Sequence, residues 1–259
     1  MKREHPLHLI LLAGIILTFS SRIYSQTQTT MHNIQSNHPE PIFIDKFFVP
    51  KNAKKEFDER ANISRSFIRK LPDFIEDAIY ERTNENGDFF IVTIAVLKNE
   101  DALIRAKAAV QAEYKREAFD MPGMMKRLNI TIERGEFKKV SSTKSPTASG
   151  AIPSNMQQIL IDKFFVPKDA RQEFYDRAKV NRDFIKNLPG FIEDAVYERT
   201  DENGDFIILT TAIWHNEESI NRAKQAVQAE YKREGFDMQG MIKRLEIIID
   251  RGVYQKTNN

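Results

Sequence analysis

The sequence predicts an α+β fold in which one βαββαβ unit is written twice. Three observations carry this: an ungapped internal repeat, a regular alternation of strand-like and helix-like runs within each copy, and a Ser/Thr/Pro/Gly-rich stretch between the copies. Comparing the 259-residue chain with itself gives an offset of 161 − 44 = 117 residues. IDKFFVPK begins at Ile44 and returns at Ile161, and VQAEYKRE begins at Val110 and returns at Val227. Across Phe43–Gly135 and Leu160–Gly252, 61 of 93 aligned positions are identical without a gap. A solenoid needs many short units, so two units of this size read as a tandem domain pair.

In chain order, residues 1–25 read as a signal peptide. Lys2 and Arg3 form a basic start, and Leu9 to Phe19 form an apolar run of 11 residues, well short of the roughly 20 that cross a bilayer. Cleavage after Ser25 fits a small residue at the last position; an uncleaved anchor is the other reading. No Cys follows the run, which excludes a lipobox. The expectation is a periplasmic or secreted chain with no stable membrane span. Residues 26–40 are a polar lead-in, 41–137 the first domain, 138–157 a linker and 158–255 the second domain.

Each domain follows one pattern, and the second copy illustrates it. Ile159–Val166 mixes β-branched and aromatic residues and predicts a strand that Pro167 ends. Asp169 is placed to cap a helix whose apolar residues Ala170, Phe174, Ala178, Phe184, Ile185 and Leu188 recur at helical spacing. Leu188-Pro189-Gly190-Phe191 breaks it. Phe191–Thr200 and Phe206–Trp214 predict two strands joined by a hairpin with an Asn203-Gly204 turn. Asn216 caps a second helix with the stripe Ile220, Ala223, Val227 and Tyr231. Gly235 to Arg244 predicts a turn and a short helix, and Leu245–Asp250 the last strand. This order is the split β-α-β arrangement of the ferredoxin-like fold. Helices cover only one sheet face, so the bare face requires a partner, and the second copy supplies it: an intramolecular pairing, sheet to sheet.

Composition narrows function by exclusion. Lys+Arg and Asp+Glu balance at 39 and 37, a net charge of +2, and no basic patch for nucleic acid is present. Without Cys there is no thiolate nucleophile and no Cys-ligated metal; no metal site is expected. No GxGxxG, P-loop, GxSxG, HExxH or EF-hand pattern occurs.

Phe164–Val166, Phe174, Leu188-Pro189-Gly190-Phe191, Ala212-Ile213-Trp214, Asn216–Ser219 and Ala223 together resemble the antibiotic biosynthesis monooxygenase domain of the dimeric α/β-barrel group. The resemblance covers nearly all of each half. It implies the barrel pairing already expected from pattern, and a pocket between each sheet and its own helices. It also implies a choice among cofactor-free oxygenases of aromatic compounds, haem-degrading enzymes and isomerases, which membership alone does not settle.

Two catalytic candidates follow from it. Trp214, the one Trp in the chain, lines the family's pocket or plugs a strand end; Leu97 stands there in the first copy. His215 is a general base at the pocket rim or a solvent-facing residue beside the cap, and Lys98 replaces it in the first copy. Tyr231 and Tyr114, on the inner stripe of the second helix, are ligand-binding residues, iron ligands or packed core. Phe164 and Phe47 are ligand-binding candidates on the first strand. Lys163 and Lys46 stand where haem-degrading relatives carry Asn, which counts against that route while leaving haem binding open.

The alternating charges Asp162, Lys163, Glu193 and Asp194, with Asp45, Lys46, Glu76 and Asp77, are either cross-strand pairs or place one carboxylate in the barrel interior with a raised pKa. Arg199 and Arg82 are anion binders or solvated hairpin residues. The expected function is an exported, cofactor-free monooxygenase of this type acting on a small hydrophobic or aromatic molecule. The alternative is a non-catalytic small-molecule or haem-binding scaffold.

Overall fold

A computed structural model describes residues 40–145 and 157–257. The signal peptide, nearly all of the lead-in and most of the linker lie outside the described residues. The first copy runs β1 (Pro41–Val49), α1 (Lys54–Ile68), β2 (Phe74–Thr83), β3 (Phe89–Leu97), α2 (Glu100–Arg116), α3 (Met121–Arg127) and β4 (Thr131–Lys144). The second runs β5 (Gln158–Val166), α4 (Arg171–Ile185), β6 (Phe191–Thr200), β7 (Phe206–Trp214), α5 (Glu217–Glu234), α6 (Met238–Arg244) and β8 (Ile248–Lys256).

All eight strands close into one antiparallel barrel in the order β1-β3-β2-β8-β5-β7-β6-β4. Each copy contributes its four strands in the ferredoxin-like order, so the two expected domains form an intramolecular α/β barrel. The copies are hydrogen-bonded edge to edge at two seams, β4 with β6 and β2 with β8. Closure leaves neither sheet with a free edge.

Alternation along the strands sorts side chains between two cores. Ile42, Ile44, Ile159 and Ile161 point inward and meet Tyr80, Phe137 and Tyr254 in one central cluster. Phe47 and Val49 point outward onto Ala53 and Phe57, and Phe164 and Val166 onto Ala170 and Phe174. With both faces covered, each first strand reads as a nearly continuous apolar run.

Three elements differ from expectation. Asp169 does not cap α4: Lys168–Ala170 form a 3-10 turn that flows into the helix, and the Ala170 N–H donates to the Pro167 carbonyl at 2.9 Å. Asn216 does cap α5, its side chain accepting from the Ser219 N–H at 2.9 Å. The last strand begins at Ile248 and runs on to Lys256, because Leu245–Ile247 complete the turn after α6 while the later residues find partners on β5 and β2. Finally, Lys138–Lys144, the first third of the segment read as linker, continue β4 and pair with β6. Their Ser/Thr-rich composition signals a loop; a free strand edge on the other copy makes it a strand.

Candidate functional site

Each half encloses a cavity between the outer face of its sheet and its helices, about 670 Å³ in the first and about 710 Å³ in the second. Both volumes suit a small organic molecule. Trp214, Tyr231 and Phe164 line the second cavity, and Tyr114, Phe47 and Leu97 the first. Five of the six predicted site residues are thus brought to a cavity wall.

Trp214 is only 3% exposed and stands edge-on to Phe191, with ring centroids 5.3 Å apart. Together with Ile220 and Ala223 it makes a packed, rigid wall. It packs into the core on one side and lines the cavity on the other. Phe164 meets Phe174 edge-on at 4.9 Å, as Phe47 meets Phe57 at 5.0 Å. His215 is the exception among the predicted residues. It is not among the side chains lining either cavity, and its backbone N–H donates to the Gly190 carbonyl at 2.9 Å.

Tyr231 meets Phe236 edge-on, with ring centroids 5.2 Å apart, and the Arg177 guanidinium lies 4.7 Å from the Tyr231 ring and 3.8 Å from the Phe236 ring. Burial raises the Tyr231 pKa, opposed by hydrogen bonds from Arg177 and Asn181, so the hydroxyl stays protonated near neutrality. The first copy keeps this arrangement with Arg60 over Tyr114 and Phe119, and with Ser64 Oγ 3.2 Å from the Tyr114 hydroxyl. The Nε atoms of Arg60 and Arg177 are buried without a hydrogen-bond partner.

The carboxylates at the cavities are all engaged. Arg251 holds Asp162 by two hydrogen bonds of 2.7 Å, and Arg134 holds Asp45 by two of 2.8 Å. These are directly registered neighbours on adjacent strands, as the cross-strand reading expects. The hydrogen bonds that Arg251 donates to Asp162 raise the Arg251 pKa further, against the cost of burial. Asp194 is held by Arg182 at 2.6 and 2.7 Å, and Asp77 by Arg65 and Arg69, so these two pair with a helix rather than a strand. None of these four aspartates points into the barrel interior; Glu76 and Glu193 are the carboxylates near the inward-facing Tyr80 and Tyr197, and neither is buried. Arg199 and Arg82 are not solvated hairpin residues either. Each lies across a seam over a glycine of the other copy, Gly135 or Gly252, where a Cβ would come within 2.7 or 2.6 Å of the arginine Nε.

Sequence reasoning passed over Arg177 and its copy Arg60. The available signal was spacing: Phe174, Arg177, Ala178 and Asn181 fall on one helical face, which puts the arginine on the buried stripe.

Among the described residues no group of three or more His, Asp or Glu is placed to hold a metal ion, and no helix is long and apolar enough to cross a membrane. Residues 158–232 match the family model described as antibiotic biosynthesis monooxygenase. No curated protein matches the chain. Among solved structures, an anthrone oxidase-like protein is 13% identical, with a TM-score of 0.57, over 87% of this chain and 94% of its own. A candidate monooxygenase of Fusobacterium nucleatum is 11% identical, with a TM-score of 0.56, over 85% and 93%. Another from Lactobacillus acidophilus is 14% identical, with a TM-score of 0.50, over 84% and 93%. At these identities the three share the fold, including its two-copy extent.

Proposed function

Taking the second half as a domain of that family, we propose that the protein is an exported monooxygenase. It acts without a bound cofactor on a small aromatic molecule in the cavity of the second half. The observation that carries this is the cavity itself: about 710 Å³, walled by Trp214 and Phe164, with Tyr231 on its lining. Export rests on the basic and apolar pattern of residues 1–25 alone.

The lining supports one division of the chemistry. Asp162 and Asp194 are each held by two arginine hydrogen bonds, and Asp237 accepts from the Gly240 N–H to cap α6. No carboxylate on the wall is free to act as a strong base. The lining instead carries five cationic side chains against these three carboxylates. Such a wall favours the anion of an acidic substrate, so the substrate's own ionisation supplies the carbanion that reacts with oxygen. A ring CH2 and O2 then give a ring C=O and water, with substrate the electron donor and O2 the acceptor. Tyr231, protonated, donates to the developing oxyanion, and Trp214 fixes the plane of the ring.

Oxygen uptake with an anthrone tests this reading. The expected result is turnover that falls at least tenfold in Trp214→Ala; no uptake by the unmodified protein, or uptake unchanged in the variant, overturns it. Haem capture is the second reading. It requires Tyr231 or Tyr114 as an iron ligand, and the raised Tyr231 pKa disfavours the phenolate that iron takes. Haemin titration separates the two: a saturable Soret band lost in Tyr231→Phe supports haem, and no band at one equivalent dismisses it.

A further inference from the structure

The two cavities are near-copies, and two of their differences fall on the partners of one lysine. In the first, Lys107 on α2 is doubly engaged: its Nζ donates to Glu136 on β4 and lies 5.5 Å from the Phe43 ring centroid. In the second, the equivalent Lys224 on α5 lines the cavity, but the offset of 117 puts Val253 opposite Glu136 and Leu160 opposite Phe43. Both of the lysine's partners are gone, and among the described residues Lys224 has no ion pair. No acidic residue stands three or four positions away on α5, since those positions are Ile220, Asn221, Val227 and Gln228. The aromatic bulk lost at Leu160 returns on the third strand as Trp214, with Val253 packed against the same cluster.

We propose that the second cavity is specific for a planar aromatic anion, a carboxylate or phenolate whose charge is held by Lys224, and that Glu136 closes the same position to anions in the first cavity. This deepens the proposed function of the second cavity and rests on its reading as a site for a small aromatic molecule. A lysine on a long stem at a cavity rim keeps its ammonium hydrated until an anion arrives, so the pairing adds discrimination rather than fold stability. In the first cavity the site for that anion is already filled by a carboxylate of the chain itself, and a second one meets like-charge repulsion.

The probes are 2-naphthoate and its neutral isostere 2-naphthamide, titrated into the full chain without any turnover. Trp214 is the one Trp, so quenching of its emission reports the second cavity, and calorimetry counts the sites. The acid is expected to bind at one site, about tenfold more tightly than the amide. Lys224→Gln removes that preference while amide binding stays, and Val253→Glu, which rebuilds the first cavity's ion pair, does the same. Glu136→Gln adds a second site for the acid that calorimetry sees and Trp214 does not. Equal affinity for acid and amide, a preference that survives Lys224→Gln, or no saturable binding of either probe at millimolar concentration overturns the proposal. Binding without oxygen uptake upholds it and refutes only the oxygenase chemistry.

Discussion

Lys163 of the second copy donates to Glu133 of the first at 2.6 Å, although its directly registered neighbour on β8 is Asp250. The mirror-related Lys46 sits opposite Glu133 on β4 and reaches Asp250 instead. The two lysines have exchanged acids, so each ion pair ties one copy to the other. Both lysines are largely buried, at 11% and 18% side-chain exposure, while the acids are more open.

This exchange predicts coupled stabilities. In Glu133→Gln, Lys163 falls back on Asp250 beside it, and the cost is about 1 kcal/mol. The Asp250→Asn variant behaves alike through Glu133. With both acids removed, two part-buried ammonium groups lose every nearby carboxylate, and the double variant costs about 1 kcal/mol more than the sum. Urea midpoints of the four proteins close the cycle; simple additivity would show that the two pairs act independently.

The element order and the paired barrel were legible because the apolar alternation and the repeat both point to a sheet with one uncovered face. β6 and β7 fall on the residues that their pattern marks, Phe191–Thr200 and Phe206–Trp214. What was not legible depends on partners distant in sequence. Lys138–Lys144 look like linker until β6 lies beside them, and Arg182 then donates to Ser141 Oγ and Thr143 Oγ1 across the seam. At the site, aromatic residues were readable from helical and strand spacing. The role of Lys224 was not, because it rests on the loss of Glu136 and Phe43 equivalents on other strands.

Gly190 and Ser219 form a second pair whose logic the repeat exposes. Gly190 has φ +86°, and a Cβ there would stand 2.2 Å from Ser219 Oγ. The first copy has Asp73 at φ +66°, with Ala102 at the position equivalent to the serine. Gly190→Asp should therefore cost about 2–4 kcal/mol, combining left-handed strain with the clash. Adding Ser219→Ala should recover about half of that by removing the hydroxyl, read as a shift in the thermal midpoint. No recovery would place the whole cost in the backbone.

Alkaline pH should loosen the barrel interior. Burial, helped by Glu76 and Glu193, pushes the Tyr197 hydroxyl up to about 12, against an opposing hydrogen bond with Thr211. An unfolded tyrosine titrates near ~10. The folded state thus holds this proton more tightly, and the associated stability is complete below pH ~10 and lost as pH rises toward ~12, on the order of 2 kcal/mol. Tyr80 is also raised by burial, so Tyr197→Phe should reduce the alkaline slope without abolishing it. Denaturant midpoints between pH 8 and ~12 measure the effect; an identical slope in the variant would assign it to other groups.

The two seams are unequal, which predicts where the barrel opens first. β4 pairs with β6 from Lys138↔Glu198 to Lys144↔Glu193, and Arg182 adds side-chain bonds to both Asp194 and the β4 hydroxyls. β2 pairs with β8 only at Tyr80↔Lys256 and Glu81↔Gln255, followed by the Thr257 N–H to the Ile79 carbonyl at 3.0 Å. Opening a seam costs the hydrogen bonds it holds, so local unfolding should begin at β2–β8. Amide exchange under native conditions is expected to be at least ~10-fold faster at Gln255 and Thr257 than at Val196 and Glu198, about 1.4 kcal/mol in opening free energy. Exchange at equal rates would mean that the copies separate only by global unfolding.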